Sequence, residues 1–280
     1  MTPDLLRDLR RFEGLALRRQ LLDLGHSPGA IARSISRGLA RSPRRGWLCT
    51  PDAPIAAVRA VELGGKLGGA SALETYGIWV DAGPVLIATP PSASRLPAVA
   101  VDERRIWVAE RFPDRHGPQW RVSPRDALLQ HAGAADRASL VASLDSALHS
   151  RKLTGPELTS LVSALPRSLR GIREQLDSRA MSGTESKLRL ACVAAGLTVE
   201  LQASINNVGF VDLLVEGWLI VEVDSRKFHD GPTDQHRDRV RDGNAVLGGY
   251  GHLRFNYPLV QFDLEWCVDV ILTRLRSGRP

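Results

Sequence analysis

The stretch VGFVDLLVEGWLIVEVD, residues 208–224, contains two apolar runs separated by three residues, 216–218. Short apolar runs joined by a glycine-containing connection of this length are typical of a β-hairpin. In the pairing that this connection sets, Asp212 lies directly opposite Glu222. The stretch therefore predicts two antiparallel strands in which one acidic residue faces another.

Alternation along the two strands sorts their side chains onto two faces, and Asp212, Glu222 and Asp224 fall on the same one. Directly opposed like charges lie about 5 Å apart and destabilise a sheet, so this face needs protonation or a cation. A shared Mg²⁺ (or Mn²⁺) ion is the simpler answer, because such ions accept carboxylate, water and phosphate oxygens. The opposite face is predicted to hold Val211, Leu213, Val215, Leu219, Val221 and Val223.

The residues after the hairpin extend this chemistry. A divalent ion beside phosphate groups can activate a water molecule and screen the scissile phosphate, so the parts fit phosphodiester hydrolysis. His229 is predicted to move a proton, since histidine ordinarily titrates near neutral pH. Lys227, Arg237 and Arg241 are predicted to hold backbone phosphates. Two alternatives remain open: His229 as a surface histidine, and the arginines as a salt-bridged helix face.

The segments around the hairpin predict a mixed sheet flanked by helices. Glu185 lies three residues after Ser182, which is the spacing of a capping box, so it is either a helix cap or a metal ligand. The predicted order is a helix, three strands, a helix, a strand and a helix, over residues 182–195, 197–204, 208–215, 219–224, 233–247, 252–256 and from 263 onward.

The N-terminal region has a different pattern. Residues 15–24 have helical apolar spacing, and a second helix is predicted to begin at Pro28, with Ser27 as its N-cap, and to end at Gly38. Two helices joined by a short glycine-containing turn form a helix-turn-helix candidate. Residues 39–49 then predict two short strands, the wing of a winged helix.

Charge supports a nucleic-acid partner for this region. The chain has 37 basic and 31 acidic residues, a net charge of +6, and the first 50 residues alone carry ten arginines against four acidic residues. Such clustering indicates a polyanion partner, nucleic acid above all, and the helix-turn-helix layout favours DNA. A solvated arginine-rich face, or a small helical domain that binds protein, is the alternative. The residues predicted to contact DNA are Arg33, Arg37, Arg41, Arg44 and Arg45.

The whole chain is predicted to be a multi-domain α+β protein, with a winged helix at 1–52, a mixed scaffold region at 53–178 and the hairpin domain at 179–280. No apolar stretch approaches the roughly 20 residues of a membrane span, and the charged start is unlike a signal peptide, so a cytoplasmic protein with no membrane partner is expected. Cys49, Cys192 and Cys267 have no paired spacing and are predicted to be core thiols.

The segments FVDLLVEGWLIVEVDSRKFHD and HRDRVRDGNAVLGGYGHLRF closely resemble the very-short-patch-repair-like endonuclease domain, a branch of the PD-(D/E)XK nuclease superfamily. The resemblance covers about residues 182–276 and implies a restriction-endonuclease-like fold. It implies that Glu185, Asp212 and Glu222, with the Val223 carbonyl, surround Mg²⁺ and that His229 lies near the scissile phosphate. Two positions depart from the pattern: many superfamily members have lysine at Asp224, and relatives in this branch usually have glycine at Ser225.

The segment RRQLLDLGHSPGAIARSISRGLARSPRRGWLC resembles, less specifically, the winged-helix domain of AbiE-type antitoxins, which binds operator DNA. Two functions are therefore expected. One is a Mg²⁺-dependent DNA endonuclease guided by the winged helix, acting as a nicking enzyme or, as a homodimer with two sites, cutting both strands. The other is a DNA-binding regulator or antitoxin whose nuclease-like domain does not cut.

Overall fold

The computed structural model describes residues 4–224 and 232–279, apart from the side chains of 232–238. The predicted α+β class is confirmed: helices are interleaved with a two-stranded, a three-stranded and a four-stranded sheet. The chain divides into two compact units, residues 4–77 with 81–134 and residues 78–80 with 135–279. The three-domain division stays a prediction. No helix in the described ranges is long and apolar enough to span a membrane.

The first unit begins with three helices and a small antiparallel sheet. Ser27 caps the third helix through a hydrogen bond from the Ala30 N–H at 3.2 Å, and Gly38 follows that helix at φ 69°, as predicted. Of the two strands predicted in residues 39–49, one is present, Trp47–Cys49, and Arg41 pairs with it through a single backbone bridge to Cys49. The elements are α1 (Leu5–Arg11), β1 (Leu15–Leu17), α2 (Arg18–Asp23), α3 (Pro28–Ser36) and β2 (Trp47–Cys49).

The prediction of helix from residue 15 is wrong for its first three residues. Leu15–Leu17 is a strand paired antiparallel with Trp47–Cys49, and α2 starts only at Arg18. Gly14 lies between α1 and the strand and has a left-handed backbone, with φ at 85°. Pairing across 30 residues of sequence thus overrides the local helical spacing, and β1 joins the wing to the helices.

The rest of the first unit builds a mixed three-stranded sheet of order β3-β4-β5. Two helices precede the strand Val85–Thr89. The ladder between that strand and the next one is parallel, and the next strand runs from Glu103 to Trp107. The elements are α4 (Ile55–Glu62), β3 (Lys66–Leu67), α5 (Gly69–Thr75), β4 (Val85–Thr89), β5 (Glu103–Trp107) and α6 (Pro124–His131).

The second unit contains the predicted helix, β-meander, helix and strand. Its sheet has the order β6-β7-β8-β9, with two antiparallel pairs followed by one parallel pair that α10 connects. Cys192 and Cys267 are buried in the main core, as predicted, and Cys49 is buried in the first unit. The elements are α7 (Arg137–His149), α8 (Gly155–Ala164), a 3-10 helix (Arg167–Gln175), α9 (Gly183–Ala194), β6 (Val199–Ile205), β7 (Gly209–Val215), β8 (Leu219–Asp224), α10 (Pro232–Leu247), β9 (Gly251–Asn256), α11 (Tyr257–Phe262) and α12 (Leu264–Arg276).

The hairpin register is the predicted one. Val215 pairs with Leu219 and Leu213 with Val221, so the connection is the expected three residues long. The prediction for Val211 is wrong: it packs with Ile220 and Ala245, whereas the other five apolar residues of its predicted face join the main core. The β6–β7 ladder is interrupted beside Asp212, where Gln202 of β6 has φ 50°.

Candidate functional site

The candidate site lies where β7 and β8 separate. Their ladder stops at Leu213 and Val221, and the next pair, Asp212 and Glu222, is not joined backbone to backbone. Instead the Val223 N–H donates a hydrogen bond of 2.9 Å to Asp212 Oδ2. The Asp212 carboxylate therefore takes the place of a strand carbonyl and is held beside the segment that carries Glu222.

Gln202 connects this carboxylate to a second one. Its side-chain amide donates to Asp212 Oδ1 at 3.3 Å and to Glu185 Oε2 at 3.1 Å. The left-handed backbone of Gln202 is uncommon for a residue other than glycine, and it coincides with the break in the ladder opposite Asp212. Sequence reasoning missed Gln202, because a single amide in a strand has no spacing that marks it.

Glu185 combines the two roles that the sequence left open. Its carboxylate accepts hydrogen bonds from the Met181 N–H at 3.0 Å and the Ser182 hydroxyl at 2.8 Å, while Ser182 Oγ accepts from the Glu185 N–H. This is a helix-capping arrangement at the start of α9. Gln202 nevertheless links the same carboxylate to Asp212, so the cap belongs to the acidic cluster as well.

Glu222 is surrounded by two arginines and a histidine. Arg241 Nη2 lies 2.8 Å from its Oε1, while Arg254 Nη2 and His252 Nε2 lie 2.7 and 3.2 Å from its Oε2. Arg254 also lies 3.8 Å from Asp224, so the two acids of β8 share one guanidinium. His252 and Arg254 were not predicted, because β9 reaches Glu222 only through a parallel crossover.

The acids differ in their affinity for a proton. Burial raises the pKa of Glu185 and the pKa of Asp212, and the neighbouring carboxylates add to this, Asp212 for Glu185 and Glu222 for Asp212. Burial also favours a raised pKa for Glu222, but hydrogen bonds from His252 and Arg254 and the charge of Arg241 hold the pKa of Glu222 at about 2. Glu222 is therefore firmly ionised, and its two acidic neighbours are the pair that a further cation would stabilise.

The structure thus brings together Glu185, Asp212, Glu222 and, through Arg254, Asp224. Val223 contributes its N–H to the site, and the role of its carbonyl as a ligand stays a prediction. Arg241 is beside Glu222 rather than on an isolated helix face. His229 and Lys227, like the side chain of Arg237, lie outside the described residues.

The side chains of the site are of the type that binds a hard divalent cation. Asp212 and Glu222 offer carboxylate oxygens, the ligands that Mg²⁺ and Mn²⁺ prefer, and burial together with the charge of Glu222 raises the pKa of Asp212. Among the side chains that the structure describes, in residues 4–224 and 239–279, no three histidines, cysteines, aspartates or glutamates converge closely enough to hold an ion. An ion would therefore also need backbone, water or phosphate oxygens as ligands. It would lie close to the two arginines that pair with Glu222.

The arginines predicted to contact DNA fall into two groups in the first unit. Arg33 and Arg37, on and just after α3, are exposed, and Arg45 is exposed at the tip of the wing. Arg41 instead lies 3.5 Å from the Glu62 carboxylate, and Arg44 donates to the Glu62 carbonyl at 3.0 Å. These two attach the wing to α4, so Arg33, Arg37 and Arg45 are the better candidates for phosphate contacts.

Comparison with models of known protein families gives no match, and comparison with curated proteins gives no significant match.

Proposed function

We propose that the chain is a divalent-metal-dependent DNA endonuclease that hydrolyses phosphodiester bonds. The observation that carries the proposal is that Gln202 joins the buried carboxylates of Glu185 and Asp212, while Glu222 lies near enough to raise the pKa of Asp212. Burying carboxylates close together is unfavourable, so a cluster of this kind is typical of a functional site. The resemblance to the very-short-patch-repair-like nucleases supports the same function.

The residues have separate tasks in this proposal. Asp212, Glu222 and the Val223 carbonyl would hold Mg²⁺ or Mn²⁺, which when bound lowers the pKa of a water molecule and screens the phosphate. Arg254 lies beside two acids on β8 and would bind a non-bridging phosphate oxygen. Glu185, whose pKa is raised, would hold or release a proton near Asp212.

The winged helix would bind the DNA. The net charge of +6 supports a polyanion partner. Arg33 and Arg37 lie four residues apart and project from one side of the second helix of the helix-turn-helix pair. A cytoplasmic location agrees with DNA as the substrate. One site per chain accounts for nicking, whereas cleavage of both strands would require two copies.

The proposal is tested by incubating the purified full chain with supercoiled plasmid and Mg²⁺ or Mn²⁺. Nicked circles should accumulate with time, and a chelator should stop their formation, because the acids of the site need the ion to act on phosphate. The Asp269→Asn variant, which alters an exposed acid on α12, should nick at the wild-type rate. Plasmid that stays supercoiled at high protein concentration would count against the endonuclease.

The second candidate is a DNA-binding regulator or antitoxin with an inactive nuclease-like domain. Two arginines already pair with Glu222, so the charge of this acid is compensated without an ion. Asp224 also stands where many PD-(D/E)XK nucleases have the lysine that polarises the attacking water. Intact plasmid together with specific retardation of the chain's own promoter fragment would favour this candidate.

Both candidates share a prediction for the winged helix. Replacing Arg33 and Arg37 together by alanine should weaken duplex binding and reduce the slope of log affinity against log salt by about 2, one for each lost phosphate contact. Fluorescence anisotropy over a range of salt concentrations measures the slope. Arg104→Ala combined with Arg115→Ala, two exposed arginines elsewhere in the same unit, is the charge-matched control. An unchanged slope would show that α3 does not contact the backbone.

A further inference from the structure

The two oxygens of Glu222 are held by different kinds of partner. Oε2 accepts from Arg254 at 2.7 Å and faces His252 Nε2 at 3.2 Å. Oε1 lies 2.8 Å from Arg241 Nη2. A metal ion needs only one of these oxygens, so the exchange of a single partner would open Glu222 to an ion.

The partners of Oε2 are built into the sheet. Arg254 lies opposite Glu222 in the parallel β8–β9 ladder and also contacts Asp224 at 3.8 Å. His252 lies on the same strand, and its Nδ1 is 3.5 Å from Asp242. These contacts hold Arg254 and His252 beside Glu222 from the neighbouring strand of the sheet.

Arg241 is different, because it comes from α10 and not from a strand of the sheet. Its other hydrogen bond goes to the backbone carbonyl of Phe210, a neutral acceptor, and its side chain is 31% exposed. A guanidinium binds phosphate through paired, charge-assisted hydrogen bonds. A phosphate group at this surface could therefore replace both partners of Arg241.

We propose that Arg241 is an internal counter-ion that occupies Glu222 Oε1 until the phosphate backbone of a nucleic acid draws it away, so that a divalent ion and the nucleic acid bind cooperatively. The inference rests on the proposed function, because it takes Glu222 as a metal ligand. The guanidinium and the ion compete for the same oxygen. By linkage, any factor by which nucleic acid raises metal affinity is also the factor by which metal raises nucleic-acid affinity.

The test measures Mn²⁺ binding by electron paramagnetic resonance, with the full chain and no DNA. The Arg241→Gln variant should bind Mn²⁺ about tenfold more tightly than wild type, a coupling of ordinary size. Arg239→Gln removes the same charge from an exposed position on α10 and should leave Mn²⁺ affinity unchanged. A short DNA duplex should raise the Mn²⁺ affinity of the wild type about tenfold and that of Arg241→Gln by much less.

Equal Mn²⁺ affinities for wild type and Arg241→Gln, or an equal rise in Arg239→Gln, would overturn the counter-ion role. So would a wild-type Mn²⁺ affinity that the duplex does not change, a measurement that needs no variant to fold. Plasmid nicking separates this outcome from failure of the function. Nicking with no effect of Arg241→Gln leaves the endonuclease standing without the counter-ion, whereas tighter Mn²⁺ binding by Arg241→Gln without nicking leaves the counter-ion standing without the endonuclease.

Discussion

The Asp212→Asn and Glu222→Gln variants should each lose plasmid nicking by about 1,000-fold, equivalent to about 4 kcal/mol of transition-state stabilisation. Each substitution keeps the size of the side chain and removes one negative charge from the acidic cluster. Asp212→Asn retains an oxygen that can accept from the Val223 N–H, so the hairpin should keep its shape. The measurement is the initial rate of nicked-circle formation under saturating Mg²⁺.

Two comparisons make this result specific. Asp269→Asn removes one charge from an exposed position in the same unit and should leave the rate unchanged. Glu185→Gln should cost less than either main variant, because much of the bonding of Glu185 is to the start of its own helix. If Asp212→Asn and Glu222→Gln nick at the wild-type rate, the plasmid activity arises elsewhere, and the acidic cluster is structural.

The hairpin was predictable because its determinants are local. A three-residue connection sets the register between β7 and β8, and that register alone brings Asp212 opposite Glu222. The N-cap of α3 was predictable for the same reason, since Ser27 and Pro28 act within a single turn. Where the deciding interaction spans a few residues, the sequence pattern and the structure agree.

The cation partners of Glu222 were not predictable in the same way. Arg254 meets Glu222 only because β9 returns parallel to β8 after α10, and no local pattern sets that register. Gln202 reaches both Asp212 and Glu185 because the β6–β7 ladder is interrupted at its position. The interruption coincides with the left-handed backbone of Gln202, and no glycine or asparagine at this position indicates that conformation in the sequence. The strand β1 was missed for a related reason, as its partner β2 lies beyond two helices.

A second buried polar cluster could not be predicted from the sequence either, because its members lie far apart along the chain. Asp145 of α7 is fully buried and accepts hydrogen bonds from the Asp177 N–H at 2.7 Å and the Ser186 hydroxyl at 2.8 Å, and it pairs with Arg189 at 3.2 Å. In the sequence Asp145 is one acid within an otherwise ordinary helix. Its partners come from a loop and from α9, the helix that also carries Glu185.

Replacing Asp145 by alanine should lower the free energy of unfolding by about 3 to 5 kcal/mol, the usual cost of removing one member of a buried ion pair. Arg189 would keep its charge, with only 10% of its side chain exposed. The Ser186 hydroxyl and the Asp177 N–H would each lose an acceptor. Urea denaturation followed by circular dichroism measures the change, and Asp269→Ala, on an exposed face, should stay within about 0.5 kcal/mol of wild type.

The free energy of unfolding that Asp145 contributes should depend on pH, which sets it apart from an ordinary buried side chain. Burial, opposed by the hydrogen bonds of Ser186 and the Asp177 N–H, raises the pKa of Asp145 from 3.8 to about 6 in the folded chain. The folded state then binds the proton more tightly than the unfolded state, so the stability that Asp145 contributes is complete below pH 4 and declines as pH rises through 6. Asp145→Asn cannot titrate, and the difference in unfolding free energy between wild type and this variant should therefore fall between pH 4 and 6 and level off above 7. A difference that instead grows with pH over that window would mean that the ionised carboxylate, held by Arg189, is the form that folding favours.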